Sequence, residues 1–217
     1  MTGLRLNFLV LFMRLLLCTN PAASEIDFLA SSLIKAGASS VSFAWDLTSA
    51  IQGASEGIDL VASDRFQFIF PDWFLGGTAP VAVNTHMSLL PRHRGTQALF
   101  FCTLLGDRHG WTIHMLDAGI DTGPILLQEG IEYSEDKSFR DVHSRTRAEI
   151  VNGLCRLVST APEWFAKSFP PQPILDEKAH RSSVFVPLFS RLPLGWDTSI
   201  KDARFLLRDF VVSRGIR

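Results

Sequence analysis

The sequence has almost no surplus charge: 21 Lys and Arg stand against 22 Asp and Glu, a formal net charge of −1. A chain so balanced casts no global basic field, which argues against a nucleic-acid partner. The basic clusters at Arg92, His93 and Arg94 and from Arg204 to Arg217 are more simply solvated faces. Cysteine is also scarce. Cys18, Cys102 and Cys155 are odd in number, far apart and without CxxC spacing. That argues against a disulfide framework or a zinc site and suits a reducing compartment. Each lies in an apolar segment and reads as a small buried hydrophobe. No HExxH or comparable ligand spacing occurs, so no metal is expected. The GxGxxG and GxxxxGK(S/T) loops are missing too, which disfavours the usual dinucleotide and nucleoside-triphosphate enzymes. There is no internal repeat and no low-complexity tract.

What is present is an ordinary globular balance, 47% hydrophobic and 20% charged over 217 residues. That length can bury a sizeable core in one large domain with or without an appendage. The N-terminus allows two readings. Leu6 to Phe12 is an apolar run behind Arg5, and Ala22-Ala23-Ser24 resembles a signal-peptidase site. Arg14 interrupts the run, which falls short of the ~20 apolar residues of a membrane span. The favoured reading is cytoplasmic, with no membrane partner. The domain then starts at Met13 and residues 1–12 are an extension.

Strand-like and helix-like segments alternate from there. Leu15 to Leu17, Val41 to Trp45, Ile58 to Ala62, Ala79 to Val83, Trp111 to Leu116 and Ile125 to Ile131 read as strands. Ser24 to Ala36, stopped at Gly37, reads as a helix, as do Leu47 to Ala54 and Gly95 to Leu105 with its stop at Gly106. Ser138 to Phe165 reads as a long helix broken or capped near Pro162. This order predicts an α/β fold, a Rossmann-like, mostly parallel twisted sheet with helices on both faces. A catalytic domain would span 13–168. Pro170, Pro171 and Pro173 then read as a linker, and 169–217 as a short C-terminal appendage. Within it, Ser182 to Pro193 offers only short apolar pieces, and Thr198 to Ser213 forms one amphipathic closing helix.

The chemistry concentrates between Val81 and Gln128. Asn84 and His86 lie two apart in an extended segment, so both side chains can face one cavity, at the strand end where open sheets bind ligands. A histidine exchanges protons near neutral pH, and a nearby amide can donate to an oxygen that gains negative charge. Asp121, on a Gly-bounded turn, can orient the imidazole or stabilise its charged form. Such a trio suits acyl transfer in which the substrate supplies the nucleophile. Alone, His86 would read as a hydrogen-bonded loop histidine. Ser88 lacks a GxSxG elbow and reads as a loop-capping hydroxyl. His93 and His109 read as exposed loop residues. His114 either flanks the site or fills a polar pocket, and His143 and His180 have no companions. Phe66, Phe68 and Phe70 suit a ring-binding slot or ordinary core packing.

Asn84-Thr85-His86-Met87-Ser88-Leu89-Leu90-Pro91 with Arg94-Gly95, followed by Gly110-Trp111-Thr112-Ile113-His114 and Asp117-Ala118-Gly119-Ile120-Asp121-Thr122-Gly123, resembles the two hallmarks of the folate-dependent formyltransferases. That family takes in the methionyl-tRNA, phosphoribosylglycinamide and sugar N-formyltransferases. The resemblance is convincing from about Ile58 to Glu129, extends by layout from Met13, and fades after Phe169. It implies Asn84, His86 and Asp121 as the catalytic trio. It also implies 10-formyltetrahydrofolate as formyl donor, attacked by an amine through a tetrahedral intermediate. The donor's pteridine would meet Gln67, Phe68, Ile69, Leu90, Asp117, Ala118, Gly119 and Ile120, and an apolar slot rimmed by backbone groups suits a flat hydrogen-bonding ring.

Met87 departs from the Pro or Gly usual after the histidine, which puts the loop geometry in question. The first turn, Cys18-Thr19-Asn20-Pro21, lacks the phosphate cradle of the glycinamide ribonucleotide enzymes. By elimination the chain is most similar to a sugar N-formyltransferase, whose acceptor is a nucleotide-linked amino sugar. The rivals are another amine acceptor, hydrolysis of formyltetrahydrofolate, and a catalytically inactive folate- or partner-binding protein. The closing helix and the apolar stretch Val184 to Phe189 suit a homodimer contact or internal packing equally.

Overall fold

The computed structural model describes residues 13–20, 26–75, 80–165, 167–175 and 178–216. The apolar run Leu6 to Phe12, the Ala22-Ala23-Ser24 stretch, Pro21, the first residues of the expected helix from Ser24, and Ala79 lie outside the described residues. The elements alternate as expected. Strands β1 (Arg14–Thr19), β2 (Ser40–Ala44), β3 (Leu60–Asp64), β4 (Val81–His86), β5 (Gly110–Met115) and β6 (Ile125–Gly130) form one sheet in the order β2-β1-β3-β4-β5-β6. The pairs β1–β2, β1–β3 and β3–β4 are parallel. At one end of the last pair Met115 N–H donates to Pro124 C=O, and at the other Ile131 N–H donates to His109 C=O, both at 2.9 Å. Those two registers run in opposite directions, as in an antiparallel hairpin.

The helices are α1 (Ile26–Lys35), α2 (Leu47–Ala54), α3 (Asp72–Leu75), α4 (Ala98–Leu105), α5 (Phe139–Ser159), α6 (Ala161–Phe165), α7 (Ser182–Phe189) and α8 (Ile200–Ser213). The long helix expected over 138–165 is two, α5 and α6, parted at Thr160. Pro162 follows at once; it has no N–H to continue a ladder but is tolerated in a first turn.

The chain forms two compact units, each assembled from separate stretches. One takes residues up to Thr85, Ile113–Leu127 and Ile150–Pro171; the other takes His86–Thr112, Gln128–Glu149 and Gln172–Arg217.

In the first unit, β1 is buried at Leu15, Leu16, Leu17 and Cys18, which explains its uninterrupted apolar run. Leu16 and Cys18 face a cluster with Ala44, Ala50, Ala54, Val61, Phe70 and Phe74. Leu15 and Leu17 alternate to the other side and are just as buried, the pattern of a strand covered on both faces. Asp46 caps α2 by accepting from Ser49 N–H at 2.8 Å, while Ser49 Oγ accepts in return from Asp46 N–H.

In the second unit, α4 is buried almost all round, from Ala98 to Leu104, and so shows little amphipathic pattern. Its Leu99, Phe100, Phe101 and Leu104 share one core with Phe139, Val142, Leu188, Leu192, Ile200, Ala203 and Leu207. The C-terminal stretch, set apart from the sheet by its sequence texture, therefore supplies nearly half of that core. Where the sequence offers only short apolar pieces, the chain forms helix α7, with Pro187 inside it. Packing outweighs the forfeited hydrogen bond: Phe185 meets the Phe100 ring edge-on at 5.0 Å, and Phe189 and Trp196 complete the aromatic cluster. Arg204 on α8 donates from Nε and Nη2 to the Thr103 carbonyl at 2.9 and 2.6 Å, satisfying an end of α4.

Candidate active site

Strand β4 ends in polar residues whose side chains alternate. On one face of the first unit, Asn84 Nδ2 donates to Asp121 Oδ1 at 3.2 Å and lies 3.1 Å from His114 Nε2. His114 is buried, and its Nδ1 is 2.8 Å from the carbonyl oxygen of Met115. A carbonyl can only accept, so Nδ1 carries the proton and the neutral ring offers Nε2 to the Asn84 amide. The same Nε2 is 3.4 Å from Asp121 Oδ1, where a protonated ring would find a carboxylate. His114 thus lies beside both Asn84 and Asp121. On the other face Thr85 donates from Oγ1 to Asp64 Oδ1 at 2.7 Å, and Asp64 is fully buried at the end of β3. Sequence reasoning passed over Asp64; the signal was an acidic residue closing an otherwise apolar strand.

The turn after β5 explains how Asp121 arrives. Asp117 Oδ1 accepts from Gly119 N–H at 3.1 Å and from Thr122 Oγ1 at 2.6 Å, an internal brace that engages its carboxylate in the turn. Asp121 sits at φ +53°, a left-handed conformation that aspartate tolerates better than most residues. Gly123 is required for lack of space, since a Cβ there would overlap the carbonyl oxygen of Met115.

His86 opens the second unit's share of the chain. It is 6% exposed, and its Nε2 is 2.9 Å from the carbonyl oxygen of His93. Nε2 therefore carries the proton, and Nδ1 is the basic nitrogen of the neutral ring. Ser88 is buried and donates to the Arg92 carbonyl at 2.8 Å, the loop tie expected of it. The Leu90–Pro91 peptide is cis. Leu90 is buried; its N–H donates to Thr112 Oγ1 at 3.2 Å and its carbonyl accepts from Gln128 Nε2 at 2.8 Å. Met87 packs against the core of this unit, as do Tyr133, Phe185 and Phe189.

Three histidine expectations are corrected. His93 is 3% exposed, not a surface loop residue: its Nε2 is 2.9 Å from Asp107 Oδ2 and its Nδ1 3.0 Å from His180 Nε2. His180 is therefore not alone, and its ring also stacks on Phe101 with centroids 3.9 Å apart. Burial, then the nearby His93 and His86, push its pKa down to about 4. His109 is also buried, with Nε2 2.7 Å from Thr146 Oγ1 and Nδ1 3.2 Å from Cys102 Sγ, and burial lowers its pKa to about 4. In each case partners remote in sequence satisfy a polar ring that looked solvated locally. Of the cysteines, Cys18 and Cys102 are buried and Cys155 partly so; desolvation pushes the Cys18 thiol up to about 12 and the other two upward as well.

The aromatic run after β3 divides. Phe70 is 4% exposed and stacks on Phe66 and Phe74, which is core packing. Phe68 at 46% and Ile69 at 78% are exposed beside Gln67, and on the Asp117–Ile120 turn Ile120 is 54% exposed. These side chains remain available to a ligand. Among the described residues no group of three or more His, Cys, Asp or Glu could hold a metal ion, and no helix is long and apolar enough to cross a membrane.

An α/β sheet with an amide, an imidazole and a carboxylate gathered at the ends of β4 and β5 defines the class; sequence comparison gives the family. The Formyl transferase profile matches residues 38–158, more than half of the chain, and the chain belongs to that family. It is 36% identical over 88 residues to methionyl-tRNA formyltransferase of Trichlorobacter lovleyi, covering 40% of this chain and 28% of that protein. It is 34% identical over 105 residues to phosphoribosylglycinamide formyltransferase of Mycobacterium tuberculosis, covering 48% and 49%. It is 37% identical over 107 residues to GDP-perosamine N-formyltransferase of Brucella melitensis, covering 48% and 40%. The matches thus take in a quarter to a half of those curated relatives. Among solved structures, the formyltransferase PseJ from Anoxybacillus kamchatkensis superposes with a TM-score of 0.70 at 22% identity, over 88% of this chain and 97% of that one. At that identity the likeness shows the fold. That structure is a complex with UDP-4,6-dideoxy-4-formamido-L-AltNAc and tetrahydrofolate.

Proposed function

We propose that this protein transfers a formyl group from 10-formyltetrahydrofolate to the amine of a nucleotide-linked amino sugar. The observation that carries the proposal is the Asn84 amide, held 3.2 Å from Asp121 and 3.1 Å from His114 on a motif inside the family-matched segment. The bond between the donor's N10 and the formyl carbon breaks, a bond from that carbon to the acceptor nitrogen forms, and one proton passes from the amine to the departing N10. The formyl oxygen gains negative charge on the way. An Asn84 amide hydrogen, now given to Asp121 or His114, is the donor for that oxygen. His86 takes part in the proton transfer through Nδ1, and Asp121 stabilises positive charge and conducts protons through water. The pteridine contacts assigned to the first unit are Gln67, Phe68, Ile69 and residues Asp117 to Ile120, and the one assigned to the second is Leu90. The exposure of Phe68, Ile69 and Ile120, which the core leaves unfilled, fits that assignment.

The sugar acceptor is supported by likeness to PseJ, solved with a UDP-linked formamido sugar, and to GDP-perosamine N-formyltransferase. The test is incubation with 10-formyltetrahydrofolate and a panel of nucleotide amino sugars, glycinamide ribonucleotide and methionyl-tRNA. Tetrahydrofolate released only with an amino sugar supports the proposal. Release with no amine present points to hydrolysis, and folate binding without turnover on any acceptor points to a binding protein.

A further inference from the structure

The second unit contains a part-buried polar cluster that formyl transfer itself does not call for. We propose that Asp107, His93 and His180 form a brace that fixes the position and tautomer of the His86 imidazole, making His93 and Asp107 positioning residues; this rests on the proton-transfer role assigned to His86. The link to His86 is the His93 carbonyl, 2.9 Å from His86 Nε2. Because a carbonyl has no proton to give, it holds the proton on Nε2 and keeps Nδ1 as the base.

That carbonyl is only as steady as the peptide bearing it, and His93 lies at φ +57°, where an L-residue is strained. Both nitrogens of its ring are tied down, Nε2 to Asp107 at 2.9 Å and Nδ1 to His180 at 3.0 Å. Asp107 is anchored in turn by Arg92 Nη2 at 3.2 Å. His180 is anchored by its backbone: its N–H donates to Arg94 C=O at 2.7 Å and its carbonyl accepts from Thr96 N–H at 3.1 Å. Gly95 lies at φ +91° between them, and a Cβ there would overlap the His180 carbonyl, so the contact depends on glycine. The C-terminal stretch thus reaches back 87 residues to secure the loop that follows the motif.

Electrostatics agree with the geometry. The titratable and charged groups around His93 include Arg92, Asp107, His109, His180 and His86. His180 stays uncharged at neutral pH, so the ring beside His93 and His86 adds no competing cation.

The test uses the full chain with Asp107→Ala, His180→Phe (which keeps a ring to stack on Phe101) and the conservative Asp107→Asn, whose amide oxygen still accepts. In wild type, ring-nitrogen chemical shifts of isotope-labelled His86 should report protonation at Nε2. In Asp107→Ala and His180→Phe they should move to a tautomer mixture. With formyl transfer as readout, kcat should fall about tenfold while the donor KM stays within about twofold, and the pH profile of kcat should shift. Asp107→Asn should recover most of both signals. An unchanged His86 tautomer with unchanged kcat and pH profile, and only a lowered melting temperature, would overturn the brace. The chemical shifts need no turnover, so an enzyme inactive on every acceptor would refute the formyl-transfer proposal while leaving the brace open to measurement.

Discussion

Asn84 and Asp121 are 37 residues apart in the chain, yet the amide nitrogen of one lies 3.2 Å from a carboxylate oxygen of the other. The relationship makes each side chain conditional on its partner. Replacing Asn84 by Ala should lower kcat for formyl transfer by about two to three orders of magnitude, the usual cost of losing a donor to a developing oxyanion. Circular dichroism should show an intact fold. A variant retaining more than a tenth of wild-type kcat would remove Asn84 from the proposed role.

His86→Ala should abolish transfer while leaving tetrahydrofolate binding largely intact, because the proposed pteridine contacts lie elsewhere. Isothermal titration with tetrahydrofolate beside a turnover assay separates the two effects. Transfer at near wild-type rate would sink the assignment.

Gly123→Ala should destabilise the protein by roughly 2 kcal/mol or more, the scale of a forced backbone shift. The new Cβ would meet the Met115 carbonyl, so the Asp121 turn must move. Urea denaturation reads the loss directly, and an unchanged midpoint would show that the turn adapts freely.

Phe100→Ala removes a fully buried ring from the core that joins α4, α5, α7 and α8. A cost of about 3–5 kcal/mol is expected for an aromatic truncated in a packed core. If the loss measured by chemical denaturation were below 1 kcal/mol, the C-terminal stretch would not be packed as described.

Acid should weaken the fold through His109. Its pKa falls from 6.5 to about 4 on burial, so between those values the unfolded chain takes up a proton that the folded chain refuses. Unfolding free energy should therefore rise with pH across that window and be fully present above it. The difference is worth roughly 2–3 kcal/mol for this largely buried ring. His180 adds a smaller contribution of the same sign, since it is more accessible to solvent. The slope should flatten in His109→Gln; an unchanged slope would assign the acid sensitivity to other groups.

Much of the fold was legible in local pattern. Uniformly apolar runs such as Leu15 to Leu17 could be read as strands buried on both faces, and helix stops stood at Gly37 and Gly106. The motifs from Asn84 to Pro91 and from Gly110 to Gly123 together carried the resemblance to the family. Helix α7 was obscured by Pro187, because propensity is local while the aromatic packing that offsets it comes from α4 and Trp196. Histidine partners were illegible for a related reason. The partner of His180 is His93, 87 residues away, and no local pattern links the two.

The sequence by itself determined the alternation of elements, the family, and which residue types could carry out the chemistry, because periodicity and motifs are properties of neighbouring residues. Only the tertiary structure decided that His114 joins Asn84 and Asp121, that Phe68 stays exposed while Phe70 is core, and that His93 is buried and braced. Those outcomes depend on which distant groups arrive within 3 Å or so of a polar atom to replace its water, and chain order alone does not specify such meetings.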